Sequence, residues 1–205
     1  MMRSPLADAS ISLPGRNLVR LRKGVNSELT QISTEAERFF DRYVYPDWLR
    51  VHSLLVGRIA ETLIAARDDV GGAARDVALA GYLHDVGKSP LMAGDGREHN
   101  ELSALILAAE GLVGAVEPAR RHAIYTVLDA ATAPATLADK IVYVADRRGG
   151  LRVESVALRA RGTAERHPGF AAQIERALPA AKALEAEVFS GLPFAPDELE
   201  AHLIT

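Results

Sequence analysis

The stretch "AGYLHDVGKSP", residues 80–90, runs an apolar helical pattern straight into His84-Asp85 and, three residues on, Lys88. Val77, Ala80, Gly81 and His84 recur at three- and four-residue intervals, so they share one stripe of a helix predicted over about 73–86. Gly87 is the expected C-cap and Pro90 the expected stop. Two readings of the polar end stand open here. One is a helix terminus dressed with solvated side chains; the other is a meeting point for a metal and a phosphate.

The same period extends outward in both directions. In "DWLRVHSLLVGRIAETLIAARDD", residues 47–69, Trp48, His52, Leu55, Val56, Ile59 and Leu63 fall on one helical face, and Gly71-Gly72 ends the helix. Before it, "STEAERFFDRYV" gives Thr34 and Glu37 the spacing of a capping box, which places a helix start there. After it, Asn100 is expected to cap a helix reaching Glu110, and Glu117-Pro118 to open another reaching Leu128. Pro134 precedes "ATLADKIVYVADRR", and two further helices are expected near 151–163 and 168–189, with Pro179 kinking or dividing the second. No segment alternates with period two. The pattern predicts an all-α fold of seven to nine helices in a single compact domain. A flexible N-terminal arm over 1–30, a helical core over 31–150 and C-terminal helices over 151–205 packing on that core make up the expected layout.

Composition narrows the chemistry. A chain of 205 residues can bury a sizeable core, and a formal net charge of −3 argues against a general nucleic-acid binder. There is no cysteine, so a metal here must be held by His, Asp and Glu. The N-terminus lacks the apolar run of a secretory signal, and no window approaches the roughly 18 apolar residues that span a bilayer. The expectation is a soluble, cytoplasmic protein without a membrane partner; a homodimer is compatible with the C-terminal pattern.

Three places set a ligand-type side chain into an apolar stripe: His52, His84 with Asp85, and Asp146. A buried carboxylate is costly unless it is paired, hydrogen-bonded or bound to metal. Asp146 also lies near a helix C-terminus, where the macrodipole disfavours an anion and a nearby cation offsets that cost. Two imidazoles and two carboxylates suit a divalent transition ion (Mn, Fe, Co, Ni or Zn) better than Mg or Ca.

The ordered set His, then His-Asp, then Asp, carried by "HSLLVGRIAETL", "ALAGYLHDVGKS" and "KIVYVADRRGGLR", resembles the HD superfamily of metal-dependent phosphohydrolases over residues 46–152. Within it, the ending that carries Asp146 and Arg152 is similar to the bacterial HD proteins that hydrolyse diadenosine tetraphosphate symmetrically. The resemblance implies that His52, His84, Asp85 and Asp146 ligate the metal. It implies that Asp85 and Lys88 act in catalysis, and that Lys88, His99 and Arg152 contact substrate. Two-metal members carry a further His before the last ligand helix; Val127 stands at that place here. His122 lies five residues earlier, on another face of the helix expected over 117–128, so one ion rather than two is expected. The implied function is hydrolysis of a nucleotide or another small phosphate ester by a metal-activated water. A nucleotide-binding or signalling module with little turnover is the alternative, and a purely structural hydrogen-bonded cluster is a third.

Overall fold

The computed structural model describes residues 25–204, with side chains from residue 31 on. The described chain is all-α: eight α-helices joined by short 3-10 turns, with an isolated bridge between Gly149 and Val153 and no β-strand. The helices are α1 (Val25–Arg42), α2 (Asp47–Ala65), α3 (Ala74–Leu83), α4 (His99–Ala109), α5 (Val113–Arg120), α6 (Leu137–Arg148), α7 (Val156–Arg166) and α8 (Ala171–Phe189). The expected arm over 1–30 lies, up to residue 24, outside the described residues, and α1 already begins at Val25. Thr34 therefore sits inside α1 rather than at its start. The capping box of this fold is at α6 instead. There Thr136 Oγ1 accepts from the Asp139 N–H at 3.2 Å and Asp139 Oδ2 accepts from the Thr136 N–H at 2.9 Å.

Helices α2, α3 and α6 pack on one another and supply the centre of the core. Val56, Ile59 and Leu63 of α2, Val77, Leu79 and Leu83 of α3, and Ile141 and Val144 of α6 are fully buried. Trp48 departs from the expected stripe: it is 53% exposed and lines the cavity described below, while Leu49 beside it is fully buried. Helices α2 and α3 approach closely where Gly57 faces Tyr82; a Cβ on Gly57 would overlap the Tyr82 ring.

Two prolines behave differently from expectation. Pro179 lies within a continuous α8, and Pro118 within α5. Pro179 is exposed, so the carbonyl it leaves unbonded can turn to water, and packing against α6 and α7 holds the helix together on both sides. In α5 the helix ends at Arg120, and Ile124–Leu128 is a separate 3-10 segment. That break matters for the site.

Candidate metal centre

The His-Asp pair closes α3, but the helix ends earlier than the sequence predicts, at Leu83, with His84 as its C-cap. The last carbonyls of a helix have no partner within it. His84 supplies one with its own ring: Nδ1 lies 2.8 Å from the Gly81 carbonyl oxygen and donates to it. With the proton on Nδ1, His84 Nε2 is left as a bare lone pair. It faces His52 Nε2 at 3.2 Å, Asp85 Oδ2 at 3.4 Å and Asp146 Oδ1 at 3.7 Å. His52 Nε2 in turn lies 3.3 Å from both Asp85 Oδ2 and Asp146 Oδ1. His52 comes from the second turn of α2 and Asp146 from the last turn of α6, where Arg147 and Arg148 offset the macrodipole. The four ligands expected from the sequence thus converge from three helices, all buried.

The fifth convergence was not anticipated. His122 repeats the construction of His84. Its Nδ1 donates to the Ala119 carbonyl at 2.6 Å, at the C-terminus of α5, and its Nε2 points at Asp85 Oδ1 at 3.2 Å. His99 Nε2 lies 3.2 Å from His122 Nε2 and 3.5 Å from Asp85 Oδ1. The expectation that His122 faces away is therefore corrected. It assumed an unbroken helix from 117 to 128; because α5 stops at Arg120, helical phase does not carry through residue 122. Val127 instead packs half-buried against the core. Asn100, expected as an N-cap, works at the other helix end: its Nδ2 donates to the Arg120 carbonyl at 2.6 Å while its Oδ1 accepts from Tyr125 at 2.9 Å. This ties the start of α4, and hence His99, to the turn that carries His122.

Gly87 makes that meeting of α3 and α4 feasible. It lies in a 3-10 turn (Val86–Lys88) rather than at a C-cap, its N–H donates to Ser103 Oγ at 2.9 Å, and a Cβ would overlap the His99 carbonyl oxygen. Only glycine lets the chain pass there.

The donor set fits a divalent ion. Donors about 2.1 Å from a common metal lie ~3.0–3.5 Å from one another; the contacts here run from 3.2 to 3.7 Å. The groups His52/His84/Asp85 and Asp85/His99/His122 each keep their donor atoms within 4.8 Å of one another, and Asp85 belongs to both. Asp85 Oδ1 is buried and accepts no hydrogen bond, although two imidazole nitrogens face it. Bare nitrogen lone pairs aimed at carboxylate oxygens repel unless a cation lies between them.

Electrostatics agree. Burial alone would raise the Asp85 carboxyl, but the Lys88 ammonium, 2.7 Å away, and the surrounding imidazoles hold it well below the usual carboxylate range. Asp146 is likewise held low against its burial by Arg147, with which it pairs directly, and by His52 and His84. His84 is lowered by burial, and His99 is pushed down to about 3 by burial and the Lys88 charge. Burial opposes a charge on His52, yet Asp146 and Asp85 raise its pKa. Both carboxylates are thus held anionic, and the His84 and His99 rings are held neutral with nitrogens free to donate, the protonation state that metal binding requires.

A cavity of about 840 Å³ opens above this cluster. Lys88, His99 and Asp146 form its floor, and Arg152 lies on its rim, 76% exposed and 3.5 Å from Glu154. Lys88 bonds Asp85 while lining the cavity, and Arg152 stands apart from the donor cluster. Arg148, by contrast, is a structural residue. It is buried, bonding Glu185 at 3.0 Å and the Pro196 carbonyl at 2.6 Å. Glu110 serves α1, bonding Arg42 and Tyr43.

The model of the HD domain family matches residues 50–149, the segment that runs from α2 to the end of α6. Over that segment the chain is similar to the HD domain family. Every residue of the donor cluster, His52 through Asp146, lies inside that segment. Comparison with curated proteins and with solved structures returned no match. The HD domain is typical of metal-dependent hydrolases, which agrees with the donor set. Among the described residues no helix is long and apolar enough to cross a membrane.

Proposed function

We propose that the protein is a metal-dependent phosphohydrolase of small phosphate esters or anhydrides, with two ions sharing Asp85. The observation that carries this reading is the paired geometry of His84 and His122. Each imidazole is locked by a helix-end carbonyl so that its Nε2 lone pair faces an Asp85 oxygen. A cluster that only satisfied its own hydrogen bonds would not aim lone pairs at carboxylates. His52, His84, Asp85 and Asp146 would hold one ion, and Asp85, His99 and His122 the other.

The bound metal would supply Lewis-acid polarisation of a phosphoryl oxygen and a water acidified at neutral pH. The chain's own residues do the positioning. Asp85 or Asp146 orients the attacking water by accepting its hydrogen bond. Lys88, at the cavity floor, exchanges part of its contact with Asp85 for a phosphate oxygen and neutralises charge that develops there. Arg152, on the rim, meets an outer part of the substrate. Water oxygen bonds to phosphorus, and the ester or anhydride P–O bond breaks.

The test is a panel of phosphomonoesters, diesters, nucleotides and dinucleoside polyphosphates, assayed with each of Mn²⁺, Fe²⁺, Co²⁺, Ni²⁺ and Zn²⁺. Dinucleoside polyphosphates belong in it because of the Asp146–Arg152 resemblance. Turnover lost in Asp85→Asn, with helicity kept, supports the reading. Bound metal with no turnover on any substrate would favour the nucleotide-binding module instead.

A further inference from the structure

The family match ends at residue 149, yet the outer wall of the cavity is built from residues beyond it. Arg159, Thr163 and Arg166, at positions i, i+4 and i+7, form one stripe of α7 that faces the cavity. Five lysine and arginine side chains line it against three carboxylates: Lys88, Arg147, Arg152, Arg159 and Arg166 against Glu98, Asp146 and Glu154. Three of the cations have an acid of their own: Lys88 pairs with Asp85, Arg147 with Asp146 and Arg152 with Glu154.

Arg159 does not. Among the described residues its guanidinium makes no ion pair, and its Nε is buried without a hydrogen-bond partner. Among the described residues Arg166 has only the Thr163 hydroxyl, at 3.4 Å. Burial lowers the Arg159 pKa; Asp146 opposes this, while Arg147 and Arg166 add to it. A half-buried guanidinium beside two other cations, with donors left over, is an unfavourable arrangement that a bound anion relieves.

We propose that Arg159, with Arg166 about two turns further along α7, is a second anion subsite, so that the substrate carries at least one phosphate beyond the one attacked. This rests on the hydrolase reading for the identity of the bound molecule, but the subsite itself does not. The planar fork of Arg159 takes two oxygens of one phosphate, while Lys88 and the metal ligands face another at the floor. A monophosphate leaves Arg159 unsatisfied and binds weakly; a linked phosphate chain spans both.

Calorimetric titration of the protein as purified, with tripolyphosphate and orthophosphate as probes and metal content checked before and after, tests this. Tripolyphosphate should bind more tightly than orthophosphate. Arg159→Met should weaken tripolyphosphate about tenfold, the loss of one charge-assisted bidentate contact, and leave orthophosphate within twofold. Arg159→Lys should fall between, because it keeps the charge and loses the fork. Arg161→Met, an exposed residue of the same helix outside the cavity, should change neither. Circular dichroism checks that each variant is folded. Tripolyphosphate binding that survives Arg159→Met, or that Arg161→Met weakens equally, overturns the subsite, as does no preference for tripolyphosphate. Binding that depends on Arg159 in a protein that hydrolyses no phosphate compound leaves the subsite standing and removes the hydrolase reading. Turnover without the Arg159 effect does the reverse.

Discussion

His122 Nε2 lies 3.2 Å from Asp85 Oδ1, although the two residues come from different helix ends and are 37 positions apart. On the two-ion reading proposed above, that contact would make Asp85 a ligand shared by both sites. His122→Ala should therefore halve the metal content, from about two ions per chain to one, and lower turnover by 100-fold or more. Asp85→Asn should remove both ions, and Val127→His should add none, because Val127 packs against the core. Elemental analysis of the purified variants decides it; a single ion in the wild type, unchanged in His122→Ala, would sink the bridge.

Gly87 should be intolerant of any side chain. A Cβ there overlaps the His99 carbonyl, so Gly87→Ala must push α4 away from the turn after His84-Asp85. Overpacking of this kind costs about 1–3 kcal/mol. The expected outcome is a lower melting temperature together with selective loss of the ion held by His99 and His122. Two retained ions would show that α4 yields without moving His99.

Asn100→Ala should weaken the same ion without touching the metal shell. The substitution strands the buried end of α5 by removing the donor to the Arg120 carbonyl, at a cost of about 1–2 kcal/mol. His122 leaves that turn, so chelator titration should release one ion from the variant more readily than from the wild type. Equal release of both would mean that the turn holds itself.

A pH dependence of stability should come from Glu61, away from the metal cluster. Glu61 is 3% exposed, its Oε1 has no hydrogen-bond partner, and burial raises its pKa to about 7, with Tyr82 and Arg58 pulling it back. The raised folded-state value means that the fold favours the neutral acid. The contribution is fully present below the unfolded pKa of about 4.5 and is lost as pH rises to about 7. Glu61→Gln should be nearly as stable as wild type at pH 5 and more stable at pH 8, by roughly 1–3 kcal/mol. Denaturant unfolding at the two pH values checks it; parallel pH curves would show that Glu61 does not titrate in this range.

Much of this was legible in the sequence because it is local. The stripe of α2, the apolar run of α3 and the approach of "KIVYVADRR" to a helix end follow from a 3.6-residue period, and His52, His84, Asp85 and Asp146 interrupt those stripes visibly. What misled was also local: Thr34 and Glu37 have capping-box spacing in the middle of α1, and Glu117-Pro118 reads as a helix start within α5. Propensity and caps are worth about 1 kcal/mol each, and burial of a whole helical face outweighs them.

The sequence by itself determined an all-α chain with a His, a His-Asp pair and an Asp set on the buried faces of three helices. Tertiary structure alone decided that His122 joins them, that Gly87 brings His99 within reach, and that α7 walls the cavity with Arg159, whose guanidinium makes no ion pair among the described residues. The reason is physical. Helical periodicity states which residues share a face, but residue 122 lies beyond a helix end, where direction is set by what caps the last carbonyls. Those caps, the Asn100 amide and the His122 ring, are contacts across the fold and within a turn that no period encodes.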